Sequence, residues 1–263
     1  MTPLTDDQIS TAAMFLRDAI AAGGALPAIP EEVRPTSIDD ASRIADLVRG
    51  DGVGRPEGWK AGASSAAQMR DLGASTPPTA PLGAGVLRES PADLDAGGYQ
   101  LCVMEAEVAF KLAADLPARE AAYTMDEVRD AVGSAHIVIE AANFPFADGP
   151  SVGMPSIIAS GFAVAALVVG PEIADWRDRD LAALEVELLL DGEVAARGLE
   201  GEARCDPLGV LLSMANDFSS RGFGMEAGQV VTTGAAATPT PAQPGQTTTV
   251  RFAGIGEVVA RLG

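Results

Sequence analysis

The stretch Leu101–Leu112 constrains this chain more than any other segment, because its side chains alternate with the period of a strand. Met104, Ala106, Val108, Phe110 and Leu112 fall on one face, and Glu105, Glu107 and Lys111 on the other. The first set is a core stripe. The second is a charged face that brings two carboxylates to the same side of a sheet, two residues apart. A chain with this strand must build a sheet with one apolar face covered and find a place for the acids on its reverse.

The remaining pattern supplies the partners for such a sheet. Thr5 and Gln8 form a capping-box pattern ahead of Ile9, Ala12, Ala13, Leu16 and Ile20 at helical spacing, ended by Gly23 and Gly24. Ser37 to Val48 reads as a second helix with Ile44, Ala45 and Val48 on one side. Gly58 to Ala63 is a short strand carrying Trp59 and Lys60, followed by a helical turn through Gln68 and Leu72; Thr76 to Gly85 reads as loop. Thr124 with Glu127 caps a helix from about Met125 to Ala135. Strands are expected at His136 to Ala141 and Ile157 to Val169, and Asp191-Gly192 is a type I′ turn between Leu184–Leu190 and Glu193–Arg197. Asp206-Pro207 opens a helix with an acidic cap and Pro at its first position, and Gly222 closes it. Strands dominate the second half without regular βαβ alternation, which argues against a doubly wound sheet.

At 263 residues, 47% hydrophobic and 21% charged, the chain can bury one large core with a small N-terminal extension. Its 37 acidic against 18 basic residues give a formal charge of -19, a field that repels phosphate backbones and anionic membrane surfaces. Nucleic acid and membrane are therefore poor partners. Cys102 and Cys205 lack the spacing of a thiolate metal site or a disulfide framework, which fits a reducing cytoplasm. The start of the chain lacks the basic and apolar regions of a signal peptide. The greasiest run, Ile157 to Val169, is too short to span a bilayer.

Two carboxylates this close raise each other's pKa unless a cation compensates, and a hard divalent ion prefers oxygen ligands. The plain alternative for Glu105 and Glu107 is a solvated strand face. Glu140 adds a third acid at the end of the apolar run His136-Ile137-Val138-Ile139. It needs either water at the sheet rim or a partner. Three carboxylates without thiolates favour Mg²⁺ or Mn²⁺ over zinc.

The run Val103-Met104-Glu105-Ala106-Glu107-Val108-Ala109-Phe110 resembles the metal-binding strand of the 2-keto-4-pentenoate hydratase and 4-oxalocrotonate decarboxylase group, in the fumarylacetoacetate hydrolase superfamily. Gly58-Trp59-Lys60-Ala61-Gly62 with Gln68, Leu72 and Gly73 resembles its lysine segment, and Val138-Ile139-Glu140 the strand of its third metal carboxylate. Asp206-Pro207-Leu208, Met214-Ala215-Asn216, Ala227-Gly228, Val231 to Gly234, Pro244-Gly245 and Phe252 to Val258 follow in that family's order. The resemblance covers almost the whole chain. It implies an α+β fold: a mixed β-roll of the fumarylacetoacetate hydrolase C-terminal type at 58–263 under an N-terminal helical cap at 1–57. It further implies Glu105, Glu107 and Glu140 as ligands of Mg²⁺ or Mn²⁺ and Lys60 as a catalytic or substrate-binding cation. A small 2-oxo acid substrate and a homo-oligomer, or a complex with a homologous or pathway enzyme, are implied with them.

Gln68, Asn143 and Thr233 are candidate substrate contacts, although a turn role is the simpler account of Asn143. Lys111 reads as a solvated lysine and Trp59 as core. His136, the only histidine, lies about 13 Å along an extended strand from Glu140 and reads as structural. The chain departs from the family where Pro78 stands for an Asp, Pro145 for an Arg, Ser160 and Gly161 for a polar segment, and Cys205-Asp206-Pro207 for a Gly-His-Pro. Those changes spare the carboxylates and alter the expected substrate shell. Three readings remain open: a hydratase of 2-hydroxydienoates, a decarboxylase of 2-oxo diacids, and a non-catalytic subunit beside an active homologue.

Overall fold

A computed structural model describes residues 3–49, 55–95, 102–161 and 164–263. In chain order the helices and strands are α1 (Asp6–Ala22), α2 (Ile38–Arg49), β1 (Gly58–Ala61), α3 (Ala66–Leu72), β2 (Thr79–Leu82), β3 (Leu87–Glu89), β4 (Ala92–Leu94), β5 (Cys102–Leu112), α4 (Met125–Ala131), β6 (Val132–Asn143), α5 (Met154–Ala159), β7 (Val164–Glu172), β8 (Val186–Leu190), β9 (Glu193–Arg197), α6 (Pro207–Ser220), β10 (Val230–Ala235), β11 (Thr240–Ala242), β12 (Thr247–Phe252) and β13 (Gly256–Leu262). This is the mixed α+β roll expected from the sequence.

The larger sheet runs β2-β1-β10-β5-β6-β7-β3, with β11 also paired to β5. Its centre is the long antiparallel pair β5–β6, which sets Glu105 directly opposite Glu140 and Glu107 opposite Val138. The smaller sheet runs β4-β13-β12-β8-β9. Between the two sheets lies the main core. It takes Met104, Ala106, Val108, Phe110 and Leu112 from β5, Ile137, Ile139 and Ala141 from β6, and Val250, Val258, Ala260 and Leu262 from β12 and β13. The apolar stripe read from β5 is thus one wall of this core.

The opposite face of β5 and β6 is not a solvated surface. Ala109 and Val138 join Leu82, Leu167 and Val230 in a second apolar cluster on that side. The face is therefore the concave interior of the roll, and Lys111 reaches solvent only at the far end of its strand. The helices α1 and α2 close a third cluster in which Ile9, Ala12, Leu16 and Ile44 pack with Phe146, Ile157 and Ile158. The start of α1 is fixed twice: Thr5 and Gln8 form a complete capping box, and Asp40 of α2 accepts from the Leu4 amide at 3.2 Å.

Several boundaries differ from the sequence reading, each for a local reason. The run Ile157 to Val169 is not one strand: Ile157–Ala159 lies in α5, which starts after Gly153 at φ 83° with a Pro in its first turn and stops before Gly161 at φ 85°. Only Val164 onward is strand, while Phe162 and Ala163 lie outside the described residues, as does Leu101 at the start of the β5 pattern. The expected helix to Ala135 ends at Ala131, because β6 begins at Val132 and pairs with Leu112. Thr76 to Gly85 contains β2, bonded to β1, and is not wholly loop. Asp206 occupies the N-cap position of α6 without a side-chain capping bond. The Asp191-Gly192 turn has φ 50° and 87°, the left-handed pair that type I′ requires.

The parallel pairing of β1 with β10 leaves no room for a side chain at Gly58, where a Cβ would sit 1.8 Å from the Val230 carbonyl oxygen. Gly58→Ala should therefore destabilise the fold by about 1–3 kcal/mol or more, read as a lower urea midpoint at unchanged slope. A midpoint equal to that of the parent would show that β1 is not held this close.

Candidate metal centre

Four adjacent strands supply the polar groups of the concave face: β1 gives Lys60, β10 Thr232 and Thr233, β5 Glu105 and Glu107, and β6 Glu140. Strand alternation selects them. Trp59 turns into the main core, edge-on to Phe218 at 4.7 Å with its indole N–H donating to Gln229 at 3.1 Å, so Lys60 turns to the other side. Lys60 Nζ donates to Glu140 Oε1 in a buried ion pair. The two residues sit three strand spacings apart, roughly 14 Å in a flat sheet. Their contact requires the sheet to curl until the face becomes the inside of a roll.

One oxygen from each of Glu105, Glu107 and Glu140 lies within 4.8 Å of the others. Glu107 and Glu140 are fully buried, and Glu105 partly so. The two oxygens of Glu107 differ in their surroundings. Oε2 accepts from the backbone amides of Thr233 at 3.1 Å and Gly234 at 2.8 Å, whereas Oε1 is buried without a hydrogen-bond partner. Thr232 Oγ1 lies 3.5 Å from Glu140 Oε2.

These positions disturb the acid–base equilibria in one direction. Burial, then the charge of Glu140, pushes the Glu105 carboxyl up to about 7, against the pull of Lys60. Burial and the charges of Glu140 and Glu105 push Glu107 well above the ordinary carboxylate range, with Lys60 and the Gly234 amide opposing. Burial alone would lower the Lys60 ammonium, but Glu140, and behind it Glu105 and Glu107, raise it.

A divalent cation fits this set. Three carboxylates face one ammonium, all donors are oxygens, and the bare Oε1 of Glu107 points to a missing positive partner. A buried carboxylate oxygen left unpaired is costly, and a hard ion removes that cost along with the mutual repulsion. Glu105, Glu107 and Glu140 are the residues that could hold it.

The other candidate residues are placed differently. The Gln68 side chain is spent on the capping box of α3, accepting from the Ser65 amide at 3.3 Å, and it is exposed. Asn143 ends β6 opposite Cys102, three residues past Glu140 and so on the other side of the strand by alternation; its Oδ1 is buried without a partner. The Thr233 hydroxyl donates to the Val108 carbonyl at 2.8 Å, so its link to the cluster is through its backbone N–H. His136 lies opposite Ala109, between Ser134 Oγ at 2.9 Å and the Gly170 carbonyl at 3.2 Å. Thr232 and the amide of Gly234 are additional members that sequence reasoning did not single out. A Gly inside the strand pattern Val230 to Ala235 was the available signal, since such a Gly marks a bulge or a close backbone approach.

In the metal-free protein the raised carboxyls set a pH dependence. The unfolded chain releases the Glu105 proton near 4.5, while the folded chain keeps it to about 7. Between these values the folded state binds more protons, so stability falls as pH rises. Urea unfolding in chelator should give a lower midpoint at pH 7.5 than at pH 5, with the slope reduced in Glu105→Gln; a midpoint that climbs with pH would contradict the burial of these acids.

Residues 64–263 match the profile of the family described as "Fumarylacetoacetate (FAA) hydrolase C-terminal". A 2-keto-4-pentenoate hydratase of Burkholderia vietnamiensis is 27% identical over 259 residues, 97% of each chain. A 4-oxalocrotonate decarboxylase of Pseudomonas putida is 31% identical over 107 residues, 41% of this chain and only 40% of that enzyme's length. Among solved structures, 4-oxalocrotonate decarboxylase from Pseudomonas putida G7, complexed with magnesium and adipate, superimposes with a TM-score of 0.83 over all of both chains at 23% identity. That likeness establishes the fold. No helix among the described residues is long and apolar enough to cross a membrane.

Proposed function

This chain belongs to the fumarylacetoacetate hydrolase C-terminal family, and on that premise we propose that it is a metal-dependent hydro-lyase acting on small 2-oxo acids. It adds water to a 2-hydroxydienoate or its 2-oxo-enoate tautomer and gives a 4-hydroxy-2-oxo acid. The observation that carries the reading is the buried triad Glu105, Glu107 and Glu140 with Lys60 at its edge. The hydratase assignment is preferred because the match to a hydratase runs almost end to end.

Glu105, Glu107 and Glu140 would hold Mg²⁺ or Mn²⁺, a choice that follows from hard oxygen donors. Such an ion, when bound, supplies a Lewis acid for the keto and carboxylate oxygens of a 2-oxo acid. The chain's own residues do the rest. Lys60, held by Glu140, presents an ammonium that can steady negative charge developing on the substrate or pass a proton to its carbon skeleton. Protonation of the dienol gives an enone; water then adds its hydroxyl to the fourth carbon and a proton to the third. Leu82, Val138 and Leu167 line the same face and keep bulk water away from these groups. Residues 1–57 serve as a helical cap on the catalytic domain 58–263.

A second reading is decarboxylation of a 2-oxo diacid, favoured by the local match at 31% identity. There the electron pair of the breaking carbon–carboxylate bond flows into the same polarised keto group. One assay separates the two. With Mg²⁺ or Mn²⁺, 2-hydroxypenta-2,4-dienoate should lose its dienol absorbance without CO₂ release; CO₂ released in step with substrate loss assigns the decarboxylase. No metal-dependent turnover across a panel of 2-oxo and 2-hydroxydienoic acids rejects both, and metal uptake without turnover beside a co-purifying active homologue would make the chain a supporting subunit.

Lys60→Met should lower kcat by about 10²–10⁴-fold with Mn²⁺ uptake retained. A loss below threefold would remove Lys60 from the chemistry.

A further inference from the structure

Glu107 is aimed by a device built from three residues outside the triad, and it is best seen in β10. The pairing of β10 with β5 runs in register from Val230 to Thr232 and slips before Ala235. At the slip the backbone of Gly234 adopts φ 100°, a left-handed conformation open to glycine. The peptides of Thr233 and Gly234 thereby turn both N–H groups to one carboxylate oxygen, Glu107 Oε2. Two consecutive amides on one acceptor are not a strand pattern; a regular strand points successive N–H groups to opposite sides.

The carbonyls of the same two residues are held from behind. Ser64 Oγ, itself buried, donates to the Thr233 carbonyl at 2.7 Å. The Cys205 thiol donates to the Gly234 carbonyl at 3.4 Å. Ser64 precedes α3 and Cys205 precedes α6, so two loops from distant parts of the sequence meet on one bulge. Space at the bulge is fully used: a Cβ on Gly234 would lie 1.9 Å from Ser64 Oγ. The Glu107 carboxylate is then fixed in rotation. Oε2 is consumed by the amides and Oε1 is left bare, on a residue of the metal-ligand triad.

We infer that Ser64, Cys205 and Gly234 are positioning residues for the metal: they clamp the β10 bulge so that Glu107 presents Oε1, and only Oε1, to the ion. The inference rests on the metal-dependent reading above. None of the three need touch substrate or ion. Their effect is exerted through the direction of two backbone amides, an outer-shell arrangement of the kind that tunes affinity by about 10–100-fold.

The test is Mn²⁺ affinity of the full chain without substrate, read by electron paramagnetic resonance, with amide hydrogen exchange at Thr233 and Gly234 read in chelator. Gly234→Ala should weaken Mn²⁺ binding at least about tenfold. Because that variant can also unfold, Ser64→Ala and Cys205→Ala serve beside it. Each should stay folded, bind Mn²⁺ more weakly than the parent, and lose exchange protection at the two amides; Cys205→Ser, which keeps a donor, should restore both. Folded Ser64→Ala and Cys205→Ala that bind Mn²⁺ within twofold of the parent, or keep full protection, overturn the clamp while leaving the metal centre standing. A parent that takes up no Mn²⁺ overturns the metal reading itself and the clamp's role with it.

Discussion

The candidate site is organised around a concentration of negative charge that water is not allowed to dilute. Glu105, Glu107 and Glu140 converge on the inside of a curled sheet, where the two innermost are fully buried. Repulsion at such separation in a low dielectric is too large to leave uncompensated. The structure answers with three kinds of positive partner: the ammonium of Lys60 on Glu140, the amides of the β10 bulge on Glu107, and the hydroxyl of Thr232 near Glu140. Each partner comes from a different stretch of chain. The curl that makes them meet is in turn fixed by apolar packing on the convex side, where Met104, Ala106 and Ile139 bind the roll to the smaller sheet.

This arrangement explains why the lysine pair is informative out of proportion to its strength. A buried ion pair seldom adds stability against a well-packed apolar alternative, since desolvation offsets most of the attraction. A chain that spends three buried charged residues and a fourth half-buried one on one face has therefore put stability second there. Costly groups of this kind cluster where chemistry is done, and here one buried carboxylate oxygen is without a hydrogen-bond partner.

How much of this could be read from the sequence follows from the range of each interaction. Local features were legible: the period-two stripe of β5, the capping boxes at Thr5 and Thr124, and the hairpin turn at Asp191-Gly192 each depend on residues within a few positions. The pairing of Lys60 with Glu140 could not be read from alternation, because it depends on the curvature of four strands. Short elements were lost to competing signals. The helix α5 hides in an apolar run whose Gly and Pro ends read equally well as strand punctuation, and β2 lies among prolines that argue for loop. Gln68 shows a subtler failure: a polar side chain in the right segment was drawn to its own helix end at Ser65 and away from the cleft.

The positions at which the chain departs from its family pattern sort by their place in the fold. Pro78, Pro145, Ser160 and Gly161 all lie at the ends of elements or beyond them, where a change costs no strand register. Lys60, Glu105, Glu107 and Glu140 lie within paired strands, where a shift of one residue would turn the side chain into the opposite core. The departures thus fall where the topology tolerates change, and the charged residues where it does not. Cys205 breaks this division. It precedes a helix as a loop residue should, yet its thiol is buried against the Gly234 carbonyl, and burial, with the charge of Glu107 nearby, pushes it up to about 12. A neutral thiol there is a donor of fixed protonation across the physiological range. The support behind Glu107 is therefore insensitive to pH, and it ties one departure from the pattern to the carboxylate cluster.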